Sequence, residues 1–146
     1  MPYVILYEYF PEIAKRETRS IIVPKRSDQG LPAGEYGLLE MYCDEQGCDC
    51  RRVFFYVVSS FRRDAEAVIA YGWESPEFYA KWMEDDDPET IRDLQGPVLN
   101  MGSPQSRLAP AILTLVRDVV LRDARYIERI KAHYRMFRDR IDREPG

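Results

Sequence analysis

Every cysteine in the chain, Cys43, Cys48 and Cys50, falls in one short segment, Tyr42-Cys43-Asp44-Glu45-Gln46-Gly47-Cys48-Asp49-Cys50-Arg51-Arg52. Zinc takes soft thiolate or imidazole donors in a tetrahedron, with Zn–S near ~2.3 Å. Three thiolates this close meet that geometry if the backbone turns sharply between them, and Gly47 supplies a turn residue. The C-x4-C-x-C spacing is not that of the paired C-x2-C knuckles, so it points to metal through donor type more than through motif. The single histidine, His133, is the expected fourth ligand, with Asp44, Asp49 or a water as alternatives. A site built from Cys43, Cys48, Cys50 and His133 is a structural Zn2+ clamp, whereas a water in the fourth position opens a catalytic reading. The competing readings are unligated thiols, or one disulfide and a spare cysteine; a C-x-C disulfide strains the backbone and is disfavoured.

The elements that must position these residues follow from periodicity. Tyr36 to Cys43 and Arg51 to Ser60 are rich in β-branched and aromatic residues and read as the two best strands, so the cysteines sit at the mouth of a hairpin. Alternation in the second strand puts Val53, Phe55 and Val57 on one face and Phe54, Tyr56 and Val58 on the other. Both sets are apolar, which predicts cover on both sides. Ser20 to Val23 and Ala65 to Tyr71 read as further strands, and Ser27 to Gly34 as a turn-rich stretch. Pro76 after Ser75 opens a short helix to Met83, and Pro88 opens another that Gly96-Pro97 ends. Ser103-Pro104 leads a longer helical segment to Leu121, whose start Pro110 delays or kinks. Asp123 caps the last helix, where Ile127, Ile130, Tyr134, Phe137 and Ile141 form one apolar stripe and His133 lies at its edge. The expected fold is a single α+β domain over residues 1–146, mainly β to 73 and mainly α from 74. A three- to four-stranded antiparallel meander packs against C-terminal helices, with zinc clamping the hairpin.

Bulk properties narrow the function classes. At 146 residues, 45% hydrophobic and 32% charged, the chain has an ordinary globular balance. A net charge of −4 argues against a protein built to coat nucleic acid. The basic residues are uneven, however: Lys15, Arg16, Arg19, Lys25 and Arg26 near the start, and many arginines in the last helix. No apolar run suits a membrane span, and the first residues lack a leader pattern, so a cytoplasmic protein with no membrane role is expected. An odd, crowded cysteine count fits a reducing compartment. Phosphate-cradling, dinucleotide, zinc-protease and nucleophile-elbow signatures are absent from the sequence, which leans against an enzyme. The acidic run Glu84 to Asp87 reads as a solvated helix start. Tyr71, Trp73, Phe78, Tyr79 and Trp82 read as packing between sheet and helix rather than a recognition surface. Arg51 and Arg52 are expected to offset the thiolate charge.

The stretches YGLLEMYCDEQGCDCRRVFFYV, YGWES-EFY--WM and PQSRLAPAILTL…YIERIKAHYRMFR together resemble a family of small uncharacterised bacterial proteins. That family shares a C-x4-C-D-C-R-R core and a late Lys/Arg-x-His-Tyr. The resemblance implies that Cys43, Cys48, Cys50 and His133 are its metal positions, and it implies no activity. Ala124 departs from the proline the family pattern places after Asp123. The function expected is that of a zinc-binding adaptor module with a protein partner. The alternatives are a nucleic-acid-associated accessory protein using the basic patches, and a zinc enzyme with an open coordination position.

Overall fold

The computed structural model describes residues 3–25 and 30–143; Arg26 and the opening of the turn-rich stretch, Ser27 to Gln29, lie outside them. A short strand, β1 (Tyr3–Ile5), runs into two small helices, α1 (Leu6–Tyr9) and α2 (Pro11–Glu17), before β2 (Arg19–Val23). Then come β3 (Gly34–Cys43), β4 (Arg52–Ser59) and β5 (Ala67–Gly72). Two helices follow, α3 (Pro76–Met83) and α4 (Pro88–Gln95), then β6 (Val98–Leu99), α5 (Ala109–Asp118), a 3-10 turn at Val120–Arg122, and α6 (Ala124–Arg143). The architecture is α+β, and each pairing in the sheet is antiparallel.

The expected meander, β3-β4-β5, forms the centre of a six-stranded sheet ordered β1-β3-β4-β5-β6. The sheet is wider than three to four strands because two very short strands join it. β1 and β6 are three and two residues long, too brief to show an alternation. β2 also pairs with β3, so β1 and β2 lie end to end along one edge of it. Ile5 is opposite Met41 and Arg19 is opposite Leu38. The chain leaves that edge as α1 and α2 between the two strands, beside Leu39 and Glu40.

The main core fills the face of the sheet that presents Tyr36, Leu38 and Tyr42 of β3 and Val53, Phe55 and Val57 of β4. α5 contributes Ile112 and Val116 to it, and α6 contributes Tyr126, Ile130, Tyr134, Phe137 and Ile141. Ile127, expected in the apolar stripe of α6, is only half buried, and Tyr126 takes the inward position instead. The opposite face is covered more thinly. Phe54 is buried there in a small cluster with Val68 and Ala70, backed by Tyr3, Met41 and Val98. Helix starts follow side-chain chemistry: the Phe78 amide donates to Ser75 Oγ at 3.1 Å, and the Arg125 amide donates to Asp123 Oδ1 at 3.0 Å. Pro110 lies in the first turn of α5, which begins at Ala109, so it delays the helix rather than kinking it. Among the described residues, no helix is long and apolar enough to cross a membrane.

Candidate metal centre

The loop from Asp44 to Arg51 joins β3 to β4 and carries the sulfurs. Cys43 ends β3, Cys50 precedes the first residue of β4 by two, and Cys48 lies between them. Gly47 has φ +76°, a left-handed conformation that favours glycine and lets the chain double back. Arg51 also has a positive φ, +50°. Its backbone is held on both sides: its amide donates to Tyr134 Oη at 3.1 Å, and its carbonyl accepts from Tyr79 Oη at 2.7 Å. A left-handed non-glycine residue costs about 1–2 kcal/mol, which these two bonds offset. Gly72 is needed nearby, because a Cβ there would collide with the Tyr79 hydroxyl.

The three Sγ atoms lie within 4.8 Å of one another. A tetrahedral site with Zn–S of ~2.3 Å spaces its sulfurs about 3.8 Å apart, so the cluster is close enough to hold a metal ion. The thiols are free, and Cys43 and Cys50 are buried while Cys48 is partly exposed. Burial pushes all three above the ordinary thiol value. One contact uses sulfur as an acceptor, the Glu45 amide donating to Cys43 Sγ at 3.4 Å, and the Tyr3 hydroxyl lies 3.8 Å from Cys50 Sγ, where either atom can donate.

The C-terminal helix holds this loop through residues spaced one turn apart. Arg138 is 8% exposed and clasps three loop carbonyls. Its Nη1 donates to Glu45 at 3.0 Å and to Cys48 at 2.7 Å, and its Nη2 donates to Cys43 at 2.8 Å. Tyr134 reaches the Arg51 amide, and the Gly47 amide donates to Asp142 Oδ1 at 2.8 Å. Arg138 is therefore the cation beside the sulfurs. Arg51 and Arg52, expected in that part, are used elsewhere: Arg51 pairs with Asp49 at 2.9 Å, and Arg52 Nε donates to the Leu94 carbonyl at 3.0 Å. The aromatic group expected to pack between sheet and helix does so around Tyr79, which is fully buried, while Trp82 is 37% exposed.

His133 is not brought to the sulfurs. It is 1% exposed, on the inward face of α6, and both ring nitrogens are taken by carboxylates. Nδ1 is 2.6 Å from Glu40 Oε1, and Nε2 is 2.7 Å from Glu17 Oε1. Burial opposes a charge on the ring, but the bonds and fields of Glu40 and then Glu17 outweigh it and hold the imidazole above its ordinary value. When protonated, the ring donates from both nitrogens, and the bond to His133 in turn lowers Glu17. Glu40 also accepts from the Tyr42 hydroxyl at 2.6 Å and, more loosely, from Tyr126 at 3.5 Å. The expectation that His133 is the fourth ligand is corrected on this ground: a metal-bound imidazole needs a free nitrogen, and His133 has none. Its neighbour Tyr134 is the residue of the Lys131-x-His133-Tyr134 run that touches the cysteine loop. Asp49 is likewise engaged, by Arg51 Nε at 3.0 Å. Among the described residues, the donor group is Cys43, Cys48 and Cys50 alone.

Two of these contributors had legible signals. Glu40 occupies an inward position in the alternation Tyr36, Leu38, Glu40, Tyr42, and a buried acid demands a partner. Arg138 falls one turn after Tyr134, on the side of the helix that must meet the loop. Comparison with known proteins adds nothing to this geometry: no protein-family model matches the chain, and no curated protein or solved structure matches it.

Proposed function

We propose that the protein is a zinc-binding module in which the ion closes the β3–β4 hairpin and fixes a surface for a protein partner. The observation that carries this reading is the convergence of the three sulfurs, from a loop whose backbone the rest of the fold holds in place. The residues fit the ion on two further counts. A divalent cation with three thiolates carries a net charge of −1, and the buried guanidinium of Arg138 beside it restores neutrality. The buried Nε of Arg138 has no hydrogen-bond partner among the described residues, and a metal-bound thiolate is an acceptor suited to it. Zinc is favoured over harder ions by an all-sulfur donor set.

The nucleic-acid alternative gains no support, since Arg19 is paired with Asp123 at 3.0 Å and Arg51 with Asp49. The test is elemental analysis of protein purified without chelator, alongside Cys43→Ser and Cys50→Ser. One zinc per chain, lost in both variants while the far-ultraviolet spectrum stays folded, is the expected result. Metal-free wild type that still fails to bind added zinc refutes the reading.

A further inference from the structure

Cys48 differs from its two partners in facing an open cleft. The cleft, of about 660 Å³, lies between the cysteine loop and α6, with Trp73 and Tyr134 in its wall. Those two rings meet edge to face at 5.1 Å and give the cleft an aromatic side. Its charges run to both signs, with Asp49, Glu74 and Asp142 near Arg51, Lys131 and Arg135. Cys43 and Cys50 are 3% and 1% exposed, so the ion's approach from outside is past Cys48. Among the described residues, no histidine, aspartate or glutamate joins the three sulfurs as a fourth donor.

On the zinc reading above, we infer that the fourth coordination position opens into this cleft and accepts a neutral nitrogen donor, the imidazole of a binding partner. The choice of donor follows from charge. Three thiolates on a divalent ion are already balanced by Arg138, which is almost wholly buried. An anionic fourth ligand would leave an uncompensated charge beside a low-dielectric core. The cleft walls supply no net basic excess to offset it. An imidazole adds no charge, ranks among the preferred donors of zinc, and has aromatic surface to set against Trp73 and Tyr134. A closed tetrahedron would then form only in the complex, so partner binding and metal coordination would be one event.

The experiment replaces zinc with cobalt(II) in the full chain and follows the visible d–d and thiolate charge-transfer bands. Imidazole is titrated in, and sodium azide is titrated into a parallel sample as the anionic probe. A saturable shift of the d–d bands with imidazole, and a much weaker response to azide, is expected. The thiolate bands should remain, showing that the three sulfurs stay bound. A stronger response to azide overturns the neutral-donor argument. Cobalt that binds with thiolate bands but responds to neither probe overturns the open position and leaves the zinc reading standing. If cobalt fails to bind at all, the zinc reading itself falls, and this inference with it.

Discussion

Replacing His133 separates the two polar centres of the molecule, and its cost can be worked from the contacts. The His133–Glu40 pair is 2.6 Å long with both side chains 2% exposed, so His133→Ala strands a buried carboxylate. Losing one partner of a buried pair costs about 3–5 kcal/mol. The Glu17 contact adds less than about 1 kcal/mol, because that carboxylate is 38% exposed and turns to water when freed. The Tyr42 hydroxyl still serves Glu40, which keeps the loss near the lower end of the range. For a chain of this size each kcal/mol moves Tm by about 2–4 °C, so a loss of about 3–4 kcal/mol in His133→Ala should lower the melt by about 6–16 °C. His133→Gln keeps one N–H for Glu40 and should lose less. The assay is thermal and urea unfolding of both variants, with zinc stoichiometry measured on the better-folded His133→Gln. Undiminished zinc in that variant is expected, since the ring touches no sulfur. Zinc lost from folded His133→Gln, or a cost under about 1 kcal/mol for His133→Ala, refutes the reasoning.

The same centre sets a pH dependence. The folded value of His133 is raised above 6.5, so its contribution is fully present below 6.5 and fades as pH rises through the folded value. Glu17 is lowered below 4.5, so its share is present above 4.5 and fades as pH falls through the folded value. The difference in unfolding free energy between wild type and His133→Gln should therefore peak between those two pH values; a flat difference would count against the ion pair. Glu40→Gln combined with His133→Gln should cost less than the two single changes summed, by about 1–3 kcal/mol in a double-mutant cycle. Arg138→Met removes three bonds to loop carbonyls and the compensating charge, and should weaken zinc about 10–100-fold in chelator competition while the far-ultraviolet spectrum holds. In metal-free protein, iodoacetamide should label Cys48 well before Cys43 or Cys50, and added zinc should suppress the labelling; mass spectrometry of digests reads both. A strong chelator should lower Tm by about 10 °C where zinc had been about a thousand times its Kd, without abolishing the transition, because most of the main core is aliphatic and aromatic side chains other than the cysteines.

Much of this was legible from residue type and period. The strands β3, β4 and β5 announced themselves through β-branched and aromatic alternation, and α3 and α4 through proline at their first turns. The cysteine loop was legible because soft donors crowded around a glycine have few other uses. The wheel of α6 misled on His133. Placing the ring at the edge of an apolar stripe suggested a metal-facing position, but its partners are 93 and 116 residues distant in sequence, and no local pattern names them. Glu17 in particular ends a helix that interrupts the sheet edge, an excursion that apolar periodicity does not reveal. Arg138 was legible only as a position: its place one turn after Tyr134 set it on the loop side, but an arginine on a basic helix reads as solvated until three carbonyls are seen to converge on it.

That grip has a consequence for how the protein is made. The carbonyls it gathers belong to residues 90 to 95 positions upstream. At synthesis rates of about 5–20 residues per second, the cysteines leave the ribosome about 5–20 s before their guanidinium does. During that interval they are ordinary thiols on an unformed turn, exposed to oxidants and to competing metals. On the zinc reading, correct loading therefore waits until the terminal helix docks.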